Sequence, residues 1–221
     1  LRDSINLASK EADYGTYGDE AVVSISEGRA VGAELFIRAQ PRSDLNLLLS
    51  YTYVRSEFQD KNAVLIPSAW DNKHLLNISA RKSFKKNWDL GAKWRFVGGA
   101  PYTPWDVEKS SFVEAWNANS GPYLDFNEFN SLRLSAFHQL DVRVDKSWYF
   151  PKWSLTLYLD IQNLYNFKAD LPDNLIRETD GQGNYIIVNP GAPAEDQRDK
   201  WKAIKNESGT VLPTIGLIFE I

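Results

Sequence analysis

At 221 residues, with 43% hydrophobic and 24% charged side chains and a net charge of −4, the chain has the composition of an ordinary globular protein. Its 25 basic against 29 acidic residues give no basic stripe for nucleic-acid phosphates, so nucleic acid is not an expected partner, and the lack of cysteine excludes disulfides and thiolate metal sites. No apolar run approaches the roughly 18 to 20 residues of a transmembrane helix, but a membrane barrel stays open, because alternating strands average out in hydropathy.

Taken in chain order, the dominant signal is period two in segments of about ten residues, the length with which a tilted strand crosses a bilayer. An indistinct first candidate lies at residues 1–7. Clearer alternation follows at 28–40 (Val31, Ala33, Leu35, Ile37), 45–57 (Leu45, Leu47, Leu49, Tyr51, Tyr53), 74–84 (Leu76, Ile78, Ala80) and 88–98 (Trp88, Leu90, Ala92, Trp94, Phe96). Next, Leu140, Val142 and Val144 oppose Asp141, Arg143 and Asp145. Leu155, Leu157, Leu159 and Ile161 then oppose Thr156, Tyr158 and Asp160, and the chain closes with Ile215, Leu217, Phe219 and Ile221 in alternation. These make seven or eight two-faced strands, and no stretch shows a helical period.

The connections alternate in length. Tight turns are expected near 41–44, 85–87 and 151–152, and long loops at 58–73, 100–137 and 167–210. Short turns at one end and long loops at the other are the habit of an up-and-down membrane barrel. In the third long loop, Asp180-Gly181-Gln182-Gly183-Asn184 followed by Tyr185-Ile186-Ile187-Val188 predicts a hairpin. Aromatic residues flank two of the tight turns, Phe84 and Trp88 at one and Trp148, Tyr149, Phe150 and Trp153 at the other. Such placement suits the aromatic girdle of an outer-membrane barrel, the alternative being the core of a soluble sheet.

Several segments in order carry a family resemblance. They are Gly28-Arg29-Ala30-Val31-Gly32-Ala33-Glu34-Leu35, Leu49-Ser50-Tyr51-Thr52-Tyr53, and Ile66-Pro67 with Trp70-Asp71-Asn72-Lys73-His74. Trp94-Arg95-Phe96-Val97-Gly98-Gly99-Ala100-Pro101-Tyr102-Thr103-Pro104 follows, then His138-Gln139-Leu140-Asp141-Val142-Arg143-Val144-Asp145-Lys146 and Asp160-Ile161-Gln162-Asn163-Leu164-Tyr165-Asn166, and finally residues 212–221. Together they resemble the late barrel strands of TonB-dependent outer-membrane receptors of Bacteroidetes type, over nearly the whole chain. One departure is the final residue: the family usually ends on an aromatic, whereas this chain ends on Ile221 with Phe219 two positions earlier.

The resemblance implies an all-β fold: an antiparallel up-and-down transmembrane β-barrel, of which residues 1–221 would be the C-terminal seven or eight strands out of about 22. The plug domain and the segment that engages TonB are not among these residues. No methionine occurs, even at position 1, and no charged-then-apolar leader opens the chain, so we expect a processed or truncated piece of a longer product. Implied partners are outer-membrane lipid, the remainder of the receptor with its plug and earlier strands, and TonB through the N-terminal part; a surface lipoprotein over the loops is also compatible. The implied activity is import of a scarce large solute such as a siderophore, glycan or peptide. A passive porin or small structural barrel, and a soluble carbohydrate-binding β-sandwich, are the competing readings.

Catalytic chemistry finds little support. His74 and His138 have no neighbouring ligand at metal-site spacing, so no metal and no cofactor is expected, and the chain is not expected to be an enzyme. Asp141, Arg143, Asp145 and Asp160 are expected to face the lumen and to bond across strands and to water, rather than to act as an acid–base group. The best ligand-binding candidates are the loop aromatics Trp105, Trp116, Tyr123 and Trp201. They are placed either to stack on a solute or to pack the loops against one another.

Overall fold

The computed structural model describes residues 27–60 and 63–221. The strand expected at residues 1–7 lies outside them. The first strands are β1 (Gly28–Arg42), β2 (Leu45–Gln59), the short β3 (Leu65–Pro67), β4 (Lys73–Phe84) and β5 (Trp88–Val97). The second long loop holds β6 (Pro101–Tyr102), β7 (Trp105–Asp106), α1 (Val107–Ser111), α2 (Val113–Asn119), β8 (Tyr123–Leu124) and β9 (Leu132–Arg133). Strands β10 (Phe137–Tyr149) and β11 (Ser154–Gln162) follow. The third long loop holds β12 (Ala169–Arg177) and β13 (Trp201–Ser208), and β14 (Leu212–Glu220) ends the series.

Seven long strands form one antiparallel meander in the order β1-β2-β4-β5-β10-β11-β14, with β3 added to the end of β2. All seven long strands lie where the alternation places them. The sheet is open among the described residues: β1 and β14 are its two edges and do not pair with each other. The tight turns lie at one end and all three long loops at the other. Lys86 and Asn87 adopt φ of 62° and 57° in the turn between β4 and β5, a left-handed pair of the kind that reverses a hairpin.

Register fixes the two faces. Directly paired residues share a face, so Leu35, Tyr51, Leu76 and Phe96 lie in one row and Ile37, Leu49, Ile78, Trp94 and Leu140 in the next. Leu90, Val144, Leu159 and Ile215 continue the same surface to the far edge. The opposite face carries Arg38, Ser50, Asn77, Ser79, Lys93, Arg95, Asp141, Arg143, Asp160 and Thr214. A one-residue slip anywhere would exchange the two sets, and this strongly specifies the pairing.

Among the described residues no second layer covers the apolar face. Among the described residues the buried apolar side chains are Pro101, Trp116 and Leu175, and all three belong to the loops. Ile215 is 74% exposed, Leu217 68% and Val31 65%. Along β5 the apolar row runs from Trp88 to Phe96, about 27 Å at the usual rise per residue.

Two local expectations change. The predicted hairpin at 180–188 is only a tight turn with an isolated bridge between Thr179 and Tyr185; the arms of the loop hairpin are β12 and β13, which pair from Ala169–Ser208 to Arg177–Trp201. The segment 185–188 instead lies beside 198–200, with Lys200 N–H donating to Ile186 O at 2.7 Å. Secondly, α1 and α2 are helices where none was expected. At 5 and 7 residues they complete too few turns to show a period. Their signal is local: the Asp106 side chain caps α1 by accepting from Lys109 N–H at 2.8 Å.

Candidate functional site: a polar groove beneath interlocked loops

The polar face forms a groove of about 760 Å³ lined by Arg38, Ser79, Arg81, Lys93, Arg143 and Asp160, among others. Cross-strand register places Arg143 opposite Asp160 on β11 and opposite Gly91 on β5. Its guanidinium donates to Asp145 at 2.7 to 3.1 Å and lies 4.0 Å from the Tyr158 ring centre. Asp141 accepts from Gln139 at 2.5 Å and from Asn163 N–H at 3.0 Å, and pairs with Arg95 at 3.3 Å. The four residues expected on the polar side, Asp141, Arg143, Asp145 and Asp160, therefore share one face of neighbouring strands. They form a polar wall of mixed sign.

The two histidines stand on the other face, at its loop end. His74 Nδ1 is 2.8 Å from Tyr51 Oη, and His138 Nδ1 is 2.7 Å from Tyr165 Oη. Among the described residues no group of three His, Asp or Glu is arranged to hold a metal.

Above the groove the three long loops interlock. Trp105, opposite Leu124, donates its indole N–H to Asp173 O at 2.7 Å and so ties the second loop to the third. Trp116 is buried on α2 with the Arg177 guanidinium 5.4 Å from its ring centre, which leaves it a packing role. Tyr123 donates to Ala115 O at 3.1 Å and carries the Lys109 ammonium 4.0 Å from its ring centre. Trp201 is partly exposed opposite Arg177 on the β12–β13 hairpin. Trp105, Trp116 and Tyr123 thus belong to one packed loop assembly, to which Trp201 is linked through its strand partner Arg177.

Residues outside the expected binding and lumen sets do much of the joining. Asp71 is buried, accepts Ser56 N–H at 2.8 Å and pairs with Arg133. Arg177 reaches Asn117 Oδ1 at 2.9 Å and the buried Asp199 at 3.2 Å, with its guanidinium 3.7 Å from the exposed Tyr185 ring. Arg198 donates to Ser111 Oγ at 2.9 Å and stacks 4.0 Å from Phe112. Gly99 permits the close approach: a Cβ there would lie 1.8 Å from Leu134 O. At the tip of the third loop Asp180 accepts from Gln182 N–H, Asn184 N–H and the Asn184 amide at 2.8 to 3.1 Å, and the Asn184 side-chain hydrogen bond leads the contacts that hold its carboxyl below the ordinary value of 3.8.

No protein-family model matches the chain, and no curated protein matches it.

Proposed function

We propose that the apolar face of the sheet meets lipid, and that the chain forms the C-terminal part of a transmembrane β-barrel in a Gram-negative outer membrane, within a receptor of the TonB-dependent type that imports a scarce large solute. The observation that carries this reading is the uncovered apolar surface, continuous across all seven strands. A soluble sandwich would set a second sheet about 10 Å above it. Exposed apolar patches on soluble monomers seldom exceed a few hundred Å².

The borders of that surface support the same reading. Phe84, Trp88, Trp148, Phe150 and Trp153 mark its tight-turn end, and Tyr51, Tyr53, His74, Phe96 and Tyr165 its loop end. Tilted as barrel strands are, the 27 Å row on β5 spans about 20 Å, close to the apolar band of outer-membrane barrels. The groove face then becomes lumen wall and the interlocked loops the outer mouth. Capture by those loops, rearrangement of a plug driven through TonB, and passage along the polar wall need no bond to be made or broken. The plug and earlier strands belong to the rest of such a receptor.

Single cysteines at Asn119 and Gln182, in the long loops, and at Asn87, in a tight turn, test the topology in intact cells that express the full-length protein. An impermeant thiol reagent is expected to label the first two only. Equal labelling of all three defeats the topology.

A further inference from the structure

The tight-turn end of the sheet has a charge asymmetry that solute import does not use. On its apolar face and in its turns stand Arg42, Lys82, Lys85, Lys86, Lys146 and Lys152, and among the described residues Asp44 is the one acid with them. The remaining acids at that end, Asp89, Asp145 and Glu220, lie on the groove face. Asp44 is itself occupied by Lys82 and Arg42, and the hydrogen bond from Lys82 holds its carboxyl below the ordinary range.

Lys146 is the centre of this rim. It sits on the apolar face between Trp88 of β5 and Leu157 of β11. Its ammonium lies 5.6 Å from the Trp88 ring centre and 5.4 Å from that of Trp148, and it donates one hydrogen bond to Lys86 O in the turn. An ammonium has three donors, so two remain to point outward. To one side Phe150 stacks on Trp153 at 3.9 Å, and Trp153 meets Phe219 at 5.3 Å. Indole rings with a cation on the apolar side of a polar turn match the depth at which acyl chains give way to phosphate.

We propose that this rim docks the phosphate headgroup of an anionic membrane phospholipid, with Lys146 at its centre. The proposal rests on the reading that the apolar face meets lipid. Charge complementarity selects the headgroup, and the adjoining Leu90, Leu157 and Leu217 offer the acyl chains a surface that free phosphate has no use for. A second copy of the same rim would bring like charges together.

The test uses the full-length protein reconstituted in nanodiscs of equal phosphatidylglycerol and phosphatidylcholine, then stripped with mild detergent, with retained lipid read by native mass spectrometry. Retained phosphatidylglycerol is expected to exceed phosphatidylcholine about fivefold for each engaged lysine. Lys146→Gln is expected to lower the preference about fivefold, Lys86→Gln to lower it by no more than that, and Lys93→Gln on the groove face to leave it intact. Lys86→Gln, in an exposed turn, keeps the question decidable if Lys146→Gln assembles poorly. Equal retention by protein that has inserted overturns the docking site and leaves the membrane reading standing, as does displacement of the lipid by inorganic phosphate alone. Failure to insert into any bilayer overturns both.

Discussion

Arg133 and Asp71, 62 positions apart in the chain, form an ion pair that fastens the second long loop to the first. The same guanidinium reaches Asp71 O at 2.5 Å and Gly99 O at 3.0 Å, so one side chain joins both loops to the end of β5. Asp71 is buried while the Arg133 side chain is 30% exposed, so removing Asp71 costs less than the roughly 3 to 5 kcal/mol of a fully buried pair. Asp71→Ala is expected to open the loop assembly and leave the sheet in place. Limited proteolysis should then cut within residues 98–136 at least tenfold faster, with the strand content in circular dichroism unchanged. Unchanged cleavage would show that the pair does not hold the loops.

Leu159 and Thr214 sit on adjacent strands but on opposite faces, Leu159 with Ile215 and Thr214 with Asp160. On the proposal that the apolar face meets lipid, an arginine at Leu159 costs about 2 to 4 kcal/mol, whereas one on the groove face at Thr214 gains a carboxylate across the ladder. Leu159→Arg is expected to reduce the yield of folded full-length protein in vesicles by tenfold or more, and Thr214→Arg by less than twofold. The reverse ranking would exchange the faces.

The Asp180 turn gives a pH dependence of known sign. Its carboxylate is held below 3.8 by the Asn184 side chain and by backbone N–H donors, so the charged form is favoured in the folded turn. Its contribution is full above the ordinary carboxylate value and is lost as pH falls through the depressed folded value. Amide protection at Gln182 and Asn184 is expected to be flat from pH 7 to 5 and to fall in the acid range below 3.8. Asp180→Ala should remove that acid transition, and a transition that survives the substitution would assign it to another group.

The sheet was legible because a strand with one apolar face writes its period directly into the chain: Leu155, Leu157, Leu159 and Ile161 take the side that Thr156, Tyr158 and Asp160 leave. The same alternation placed Asp141, Arg143, Asp145 and Asp160 on one face before any pairing was known. The loops were less legible because their contacts are non-local. Nothing within the neighbourhood of Arg177 announces Asp199, Asn117 or Tyr185, and helices as short as α1 and α2 have no periodic signature. Trp116 shows the same limit: composition marks it as a stacking candidate, and only the placement of α2 under Arg177 shows that it is buried.

The two edges of the sheet lead to the last prediction. Among the described residues, strands β1 and β14 each present a row of backbone N–H and C=O groups with no strand beside them, and the β14 side chains Ile215, Leu217 and Phe219 are exposed. In water such an edge invites pairing with another chain, and in lipid each unsatisfied backbone group costs several kcal/mol. If the sheet is a sector of a larger barrel, its edges are completed by strands beyond the seven described. Residues 1–221 expressed alone are then expected to aggregate, or to remain protease-sensitive in detergent, while the larger protein of which they would be a sector forms a heat-modifiable, protease-resistant monomer. Deleting residues 212–221 from the full-length protein should abolish insertion, because β11 would lose its partner along nine paired positions from Ser154–Glu220 to Gln162–Leu212. Recovery of residues 1–221 as a heat-modifiable, protease-resistant monomer would instead require the two edges to be joined within those residues, and would favour a small self-contained barrel over the sector of a large one.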